Sequence, residues 1–330
     1  MTIRLVENGR GALGAVLCAA ALLTACGGGQ PIERFVAKRL IVLGDETSVL
    51  NSDGSKYSVS GFDIDGNPNC TVNPIWVQIL ANLYSLRFEQ CASGSAPPFT
   101  ALMFAAPGAR VADISAQITS VGGFVDKDLV TLLAGTNDIL AQYELIKTGT
   151  QIEGACSQTH ECSGASGVLK AAALALGDQV NRIRDSGGRV LISTVPDLGL
   201  TPFALAEDLA TPGRGRAALL SGLTQVFNDF LRNGFVNDGR RIGLLLTDEL
   251  VLGVVRNPAA AGLINWTAAV CQPGFAPPAC TTKTLIPTPP DSAASASASN
   301  YLWASDRLLS SSGQGFLGSL AITRATGNPF

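Results

Sequence analysis

The sequence predicts an α/β protein built on a parallel sheet, and three observations support this prediction. From residue 39 onward, short apolar runs that are typical of strands alternate with longer stretches of helical spacing. Of the 330 residues, 46% are hydrophobic and only 15% are charged, which is enough for one large core. The sequence contains no internal repeat.

Strand and helix candidates follow one another along most of the chain. The predicted strands are Leu40–Leu43, Ala101–Ala105, Leu129–Ala134, Arg189–Thr194 and Ile242–Leu246. The predicted helices are Pro74–Tyr84, Val111–Val121, Val168–Asp185, Arg214–Asn233 and a last one over Ser310–Arg324. Gly187 and Gly188 are expected to end the third helix. The stretch Pro287–Asn300, rich in Pro, Ser and Ala, is expected to be a loop.

Charge and the N-terminal segment restrict the class of protein. The net charge is −3 and no run of Lys and Arg stands out, so no nucleic-acid partner is expected. Residues 1–25 are interpreted as an export signal. Arg4 and Arg10 flank a weakly charged start, and the apolar run from Gly11 to Leu23 is too short to remain in a bilayer as a spanning helix.

The end of this segment, Leu23-Thr-Ala-Cys26, resembles the bacterial lipobox, whose cysteine is diacylated and becomes the new N-terminus. The resemblance implies a membrane anchor on Cys26 and a flexible tether over residues 26–38. A residue other than Asp after the cysteine, here Gly27, implies the outer membrane of a bacterial cell envelope, with its face left open. The alternative is an ordinary signal peptide cut near Ala25.

Six cysteines remain once Cys18 and Cys26 are set aside. They fall as three close pairs, namely Cys70 with Cys91, Cys156 with Cys162, and Cys271 with Cys280. Many connectivities are possible, so this neighbour pairing is a hypothesis. An even count in an exported chain favours disulfides over metal ligation. With His160 as the single histidine and no CxxC spacing, neither a metal nor another cofactor is expected.

Four segments resemble the SGNH, or GDSL, esterases and lipases. Val42-Leu-Gly-Asp-Glu-Thr-Ser48 is similar to the family's Gly-Asp-Ser-Leu block, and Leu133-Ala-Gly-Thr-Asn-Asp138 to its Gly-x-Asn-Asp block. Leu191–Phe203 and Asn257–Asn265 are similar to two further stretches of the larger members. The resemblance implies a three-layer α/β/α sandwich with a parallel, flavodoxin-like sheet, in a single SGNH-hydrolase-like domain over residues 39–330.

The residues that perform catalysis in this family are replaced. The family uses a serine, a histidine that deprotonates it and an aspartate that orients the histidine. At the serine position this chain has Glu46, and at the aspartate and histidine positions it has Ser305 and Leu308. An alignment shifted by one residue gives Asp306 the acid role but places Leu309 at the base. In neither alignment is there a histidine.

The oxyanion donors of the family are better matched. Asn137 corresponds to the family's oxyanion asparagine, and Gly108, within Ala105-Ala-Pro-Gly-Ala-Arg110, to the glycine whose backbone N–H completes the hole. The alternatives are a plain turn glycine at Gly108 and a helix cap at Asn137-Asp138. A carboxylate at Glu46, pointed at these donors, is expected to satisfy them from within.

The leading hypothesis is a pseudoenzyme that has lost ester hydrolysis and binds a lipid, a glycan or an envelope protein through the former cleft. The alternative is an active esterase that uses Ser48, or the neighbouring Thr47, as nucleophile and His160 as base. A third possibility is a structural protein whose cleft is filled. Asp45 and Glu46 as a carboxylate pair for glycoside hydrolysis are disfavoured, because adjacent side chains point apart.

Overall fold

A computed structural model describes residues 34–92, 97–237, 239–287, 295–327 and 330. The predicted signal peptide, Cys26 and tether residues 26–33 lie outside the described residues, as do residues 288–294 of the predicted loop. From Phe35 to Phe330 the chain forms one compact unit. Within the described ranges no helix combines the length and the apolar character needed to cross a membrane.

A parallel five-stranded sheet lies at the centre of this unit. Its strands are β1 (Arg39–Gly44), β2 (Ala101–Met103), β3 (Asp128–Leu133), β4 (Arg189–Ser193) and β5 (Ile242–Leu245). They lie in the order β2-β1-β3-β4-β5, and every neighbouring pair is parallel. This is the order of flavodoxin-like sheets, in which the first strand lies between the second and the third. The predicted fold class and all five predicted strands are confirmed.

The sequence of β1 shows why this strand lies at the middle of the protein. Leu40 and Val42 pack into one apolar cluster, whereas Ile41 and Leu43 pack into another on the opposite face. All four side chains are fully buried. A strand that is buried on both faces needs apolar residues at every position rather than at alternate positions, which accounts for the continuous run.

Helices cover both faces of the sheet. They are α1 (Trp76–Leu83), α2 (Ile114–Val121), α3 (Thr136–Lys147), α4 (Gly164–Asp185), α5 (Pro202–Ala210), α6 (Arg216–Asn233), α7 (Thr247–Arg256) and α8 (Ser311–Thr326). The buried side chains of α1, α7 and α8 belong to the first cluster, and those of α2 to α6 belong to the second. The unit is therefore a three-layer α/β/α sandwich, as the resemblance implied.

Helices α3, α5 and α7 were absent from the predicted set. Each follows a strand end or a turn directly, so its apolar residues merge with the preceding run. One signal for α5 was available, because Thr201 accepts a hydrogen bond from the N–H of Ala204 and Pro202 occupies the first turn. Two small sheets were also unexpected, Gly61–Phe62 with Pro68–Asn69 and Asn265–Ala269 with Tyr301–Trp303.

The predicted cysteine pairing is confirmed. Disulfides join Cys70 to Cys91, Cys156 to Cys162, and Cys271 to Cys280. All three lie in segments outside the central sheet. They close short excursions of the chain, and the core of the sandwich itself is held by apolar packing.

Candidate functional site

The matching sequence blocks meet at the carboxyl edge of the sheet. The first block, Val42–Ser48, begins at the end of β1, the second, Ala105–Arg110, follows β2, and the third, Leu133–Asp138, begins at the end of β3. Because parallel strands end at the same edge, loops that follow adjacent strands lie side by side. The strand order places β1 between β2 and β3, so the first block lies between the other two.

Gly44 fixes the direction in which the chain leaves β1. Its φ is +121°, and a Cβ added there would lie 2.0 Å from the carbonyl oxygen of Leu133, so only glycine fits. The side chain of Gln117 accepts a hydrogen bond from the Gly44 N–H at 2.7 Å and donates one to the Gly44 carbonyl at 2.9 Å. These contacts hold the turn that carries the next two residues.

Glu46 points into a cradle of two N–H donors. Its Oε2 accepts hydrogen bonds from the backbone N–H of Gly108 at 2.9 Å and from Nδ2 of Asn137 at 3.0 Å. The Asn137 amide is oriented by a second hydrogen bond to the carbonyl of Ala109, at 3.1 Å. The Glu46 side chain is largely enclosed, at 7% exposure. A carboxylate oxygen thus contacts both groups that the resemblance assigns to an oxyanion.

Asp45, next to this carboxylate, is fully buried. Its Oδ1 accepts a hydrogen bond from the backbone N–H of Thr47 at 3.0 Å. Burial, and then the charge of Glu46, raise the pKa of Asp45 to about 8 against the opposing effect of Thr47. Burial, with the charge of Glu46 as a second cause, also raises the pKa of Tyr57.

Asp138 ties the third block to the second. Its Oδ2 accepts a hydrogen bond from the backbone N–H of Val111 at 3.0 Å, and burial is the main cause that raises its pKa. Gly135 occupies the position before α3, and no side chain caps that helix. Asn137 and Asp138 therefore contact the neighbouring loop instead of capping their own helix.

Ser48 and Thr47, the two residues considered as substitute nucleophiles, both contact helices that cover the sheet. The Ser48 side chain is fully buried, and its Oγ accepts a hydrogen bond from the indole N–H of Trp76 at 3.2 Å. The carbonyl of Thr47 accepts one from the Gln314 amide at 3.3 Å. No described hydrogen bond connects either side-chain hydroxyl with Gly108 or Asn137.

The last block, which is the segment Ser305–Leu309 at the family's acid and base positions, forms a tight turn without an acid–base pair. Ser305 Oγ accepts a hydrogen bond from the N–H of Leu308 at 3.3 Å and contacts Asp306 Oδ1 at 3.2 Å. The second oxygen of Asp306 pairs with Arg307 at 2.9 Å, and that carboxylate is exposed. Leu309 lies in the core. Neither alignment places a proton acceptor at the base position.

His160 lies in the exposed loop closed by Cys156 and Cys162. Its ring contacts Phe230 of α6 edge-on at 6.0 Å, and its carbonyl accepts a hydrogen bond from Lys170 of α4. None of the contacts among the described residues joins this imidazole to the turn that carries Glu46. The structure therefore does not bring His160 together with Ser48 or with the cradle.

An open groove of about 750 Å³ begins at the cradle. Its lining combines the two cradle donors with cations and apolar side chains, in particular Gly108, Asn137, Arg110, Arg307, Leu140, Leu145 and Phe203. Arg307 brings the turn of the last block into the same groove. Among the described residues, no group of three or more His, Cys, Asp and Glu side chains is placed to hold a metal ion.

Three features of this site were not predicted from the sequence. Gln117 lies in the middle of a helix, where nothing in its spacing indicates that it binds the backbone of Gly44. The pairing of Asp138 with Val111 joins segments that only the strand order brings together. Phe203 lines the groove from the first turn of α5, and the one signal in the sequence was its place at the end of Leu191–Phe203, the segment that resembles the larger family members.

The chain matches no protein-family model and no curated protein sequence. It is similar to the solved structure of Axe2, an acetylxylan esterase from Geobacillus stearothermophilus, at 11% identity over 89% of this chain and 97% of that chain, with a TM-score of 0.45. LAE5, an alpha/beta hydrolase enzyme from the metagenome of Lake Arreo in Spain, shares 14% identity over 88% and 96%, with a TM-score of 0.44. A member of the lipolytic protein G-D-S-L family from Veillonella parvula shares 11% over 86% and 96%, with a TM-score of 0.38.

The strand order is that of flavodoxin-like α/β folds, and the three segments that resemble SGNH sequence blocks meet at one edge of the sheet. The names of the similar structures describe those proteins alone.

Proposed function

We propose that this protein is a pseudoenzyme of the bacterial cell envelope, which has lost ester hydrolysis and binds a ligand in the groove beside Glu46. The observation that carries the proposal is the pair of hydrogen bonds from Gly108 and Asn137 to the Glu46 carboxylate. An oxyanion hole accelerates acyl transfer only when its donors are available to the charge that develops on the substrate. Here a carboxylate of the protein itself accepts from both donors.

The loss of proton transfer supports the same conclusion. An alcohol becomes an effective nucleophile when a neighbouring base removes its proton. Leu308 has no group that accepts a proton, and Ser48 bonds to Trp76. The alternative of an active esterase that uses Ser48 and His160 gains no support from their positions.

The groove favours ligand binding over a purely structural role. A protein whose cleft is filled by side chains would leave little space beside Glu46, whereas the groove measures about 750 Å³, within the range of small-molecule sites. Apolar Leu140, Leu145 and Phe203 provide contact area for an acyl chain. Arg110 and Arg307 provide donors for a polar group. An acylated glycan or lipid combines these two chemistries.

Lipid anchoring on Cys26, with sorting to the outer membrane, is the second component of the proposal. It rests on the sequence Leu23-Thr-Ala-Cys26 and on Gly27. Mass measurement of the mature protein from a bacterial host tests it. An N-terminal diacylated Cys26 is the expected result, and an unmodified terminus at or near that position contradicts it.

Hydrolysis is tested with 4-nitrophenyl acetate and butyrate. The natural chain and Glu46→Ser are both expected to show no turnover above buffer, because Glu46→Ser still lacks a base. The triple variant Glu46→Ser, Ser305→Asp, Leu308→His supplies all three replaced groups and is expected to gain measurable turnover. Turnover by the natural chain that disappears in Ser48→Ala would contradict the proposed loss of activity.

Ligand binding is tested with octanoyl glucose as an acylated-sugar probe. Leu145 lines the groove and Ile264 does not, yet both side chains are 38% exposed, so they form a matched pair. Leu145→Glu is expected to weaken binding of the probe at least about tenfold, since a charge replaces apolar contact area. Ile264→Glu is expected to leave it unchanged. Equal effects of the two substitutions would refute binding in this groove.

A further inference from the structure

The amino edge of the sheet, where the parallel strands begin, gathers cations that are scattered along the sequence. The cationic residues at or just before the strand starts are Lys38, Arg39, Lys127, Arg184, Arg189, Arg240 and Arg241. The described acidic residues of the same segments are Asp126, Asp128 and Asp185. Among the described residues of these segments, cations outnumber acidic side chains, although the whole chain carries a net charge of −3.

Backbone pairing shows that these segments lie side by side. Arg39 is in register with Asp128, and the backbone N–H of Lys38 donates to the carbonyl of Lys127. Arg189 is in register with Leu129, one residue further along β3. The positive charges therefore belong to one continuous edge.

Two of the three carboxylates are occupied. Asp128 forms two hydrogen bonds with the Arg39 guanidinium, at 2.9 and 2.6 Å, and Asp185 pairs with Arg184 at 2.7 Å. Lys38 is exposed and Lys127 is partly exposed, with its ammonium 6.0 Å from the centre of the Phe35 ring. Lys38 and Lys127 thus present positive charge to solvent at this edge, beside the exposed carboxylate of Asp126.

Exposed apolar side chains accompany these cations. Val36 is 49% exposed, Val125 is 60% exposed and Val236 is 58% exposed. Each lies in a segment that leads into a strand of the sheet: Val36 before β1, Val125 before β3 and Val236 before β5. The Val236 carbonyl accepts a hydrogen bond from Arg184, which ties its loop to the same edge.

Basic and apolar side chains on one face are the combination that binds anionic lipid surfaces, since cations attract the headgroups and apolar groups enter the interface. We propose that the amino edge of the sheet is a docking surface for an anionic phospholipid membrane. This inference stands apart from ligand binding in the groove. The compact unit also begins at this edge, with Phe35.

The proposal fixes an orientation. Strand β1 has six residues, which corresponds to about 20 Å between the two edges of the sheet. With the amino edge on the membrane, the cradle and its groove lie at the far end of the strands and open away from the lipid. A ligand then reaches the groove without passing between the protein and the bilayer.

The test uses residues 27–330, which contain the whole compact unit with its cores and disulfides but no lipidated cysteine. Binding to vesicles of phosphatidylcholine mixed with phosphatidylglycerol is measured by co-sedimentation, with pure phosphatidylcholine vesicles as reference. Lys38→Ala with Lys127→Ala is expected to weaken binding to the anionic vesicles by about 25-fold, since each cation near the surface contributes about fivefold. Neutralising two cations elsewhere on the surface, Arg214→Ala with Lys283→Ala, is expected to change it less than about twofold.

A second variant distinguishes binding to a bilayer from binding to a soluble polyanion. Val36→Ser with Val125→Ser keeps every charge and is expected to weaken vesicle binding while leaving binding to heparin unchanged. No preference for anionic over neutral vesicles would overturn the proposal. So would equal losses in the two cation variants, or binding to heparin without binding to vesicles.

Discussion

The carboxyl and amino edges of the five-stranded sheet differ in how their polar groups are arranged. At their carboxyl edge the polar groups bond to one another: Glu46 accepts from Gly108 and Asn137, and Gln117 holds Gly44. At their amino edge the cations extend along the surface beside exposed valines. The carboxyl edge of such sheets is where ligands bind and reactions occur. In this protein the donors of the carboxyl edge, Gly108 and Asn137, bond to Glu46, whereas the amino edge exposes charged side chains to solvent.

The two edges differ in what they require of the sequence. A cradle requires atoms in fixed places, so its residues are buried and enclosed by hydrogen bonds. A surface that binds a fluid lipid membrane requires only a local excess of charge and apolar area. Substitutions at the two edges should therefore differ most in their effect on folding.

Gly44→Ala is expected to cause the largest loss of stability. Gly44 at the carboxyl edge and Gly122 near the amino edge both have positive φ, but an added Cβ at Gly44 meets the Leu133 carbonyl at 2.0 Å, whereas at Gly122 nothing lies within 4 Å. We expect Gly44→Ala to lower the free energy of unfolding by about 3 kcal/mol or more, and Gly122→Ala by about 1–2 kcal/mol. Urea unfolding measures both.

Similar losses for the two glycine variants would show that the carboxyl edge adapts as easily as the amino edge. The two edges would then tolerate substitution equally, even at Gly44, the glycine on which the turn after β1 depends. Gly122 is a suitable control because its φ of +76° is also positive, so alanine there meets backbone strain without a steric contact of its Cβ.

The next effect concerns pH. The pKa of Asp45 is about 8 in the folded protein and about 4 in an unfolded chain, so the folded state binds the extra proton between these values. The stability that this group contributes is complete below about pH 4 and is lost as the pH rises towards 8, by at most about 1.4 kcal/mol per pH unit. Asp45→Asn removes this loss and keeps an acceptor for Thr47.

Urea unfolding at several pH values compares the natural chain with Asp45→Asn. The two curves are expected to diverge as the pH rises from 4 to 8, with the Asn variant the more stable at the upper end. Asp138, whose pKa is also raised, contributes the same slope to both chains and cancels in the difference. Asp126→Asn, at the exposed amino edge, is the control and is expected to follow the natural chain. Parallel curves for Asp45→Asn would contradict the burial of a carboxyl group at this turn.

The fold could be predicted from the sequence more completely than the site. Continuous apolar runs such as Leu40–Leu43 predict strands that are buried on both faces, and the sequence blocks predict which loops meet. The cradle of Gly108 and Asn137 was identified because those residue types follow strands at family spacing. Gln117 could not be found in this way, because its role depends on how α2 packs against β1.

The basic edge shows the same limit at a larger scale. In the sequence Lys38, Lys127 and Arg189 lie far apart, so no cluster of cations stands out. Parallel register places Arg39 beside Asp128 and brings the segments before all the strands to one edge. A linear scan for basic runs detects neighbours along the chain, whereas a parallel sheet collects residues that are separated by whole helices.

Removing the carboxylate of Glu46 is expected to have an intermediate effect. Glu46→Ala leaves the Gly108 N–H and the Asn137 amide without this acceptor in an enclosed site, at a cost of about 1–3 kcal/mol. Free acetate can then enter the cradle, so acetate is expected to raise the melting temperature of Glu46→Ala above that of a matched chloride control. Glu46→Gln retains an acceptor oxygen and is expected to gain nothing, like the natural chain. Equal stabilisation of all three by acetate would refute the view that Glu46 acts as an internal anion.

Neutralising the amino edge is expected to have the smallest effect on folding. In Lys38→Ala with Lys127→Ala the hydrogen bond between the two backbones remains. Alanine has a Cβ like lysine, so the strain that the φ of +76° imposes at position 127 is unchanged. What is lost is exposed charge and a long contact with the Phe35 ring, about 1 kcal/mol or less. Urea unfolding at low and high salt measures this change. A loss comparable to that of Gly44→Ala would mean that these lysines stabilise the fold. Their presence at this edge would then be explained by folding, without a membrane that they bind.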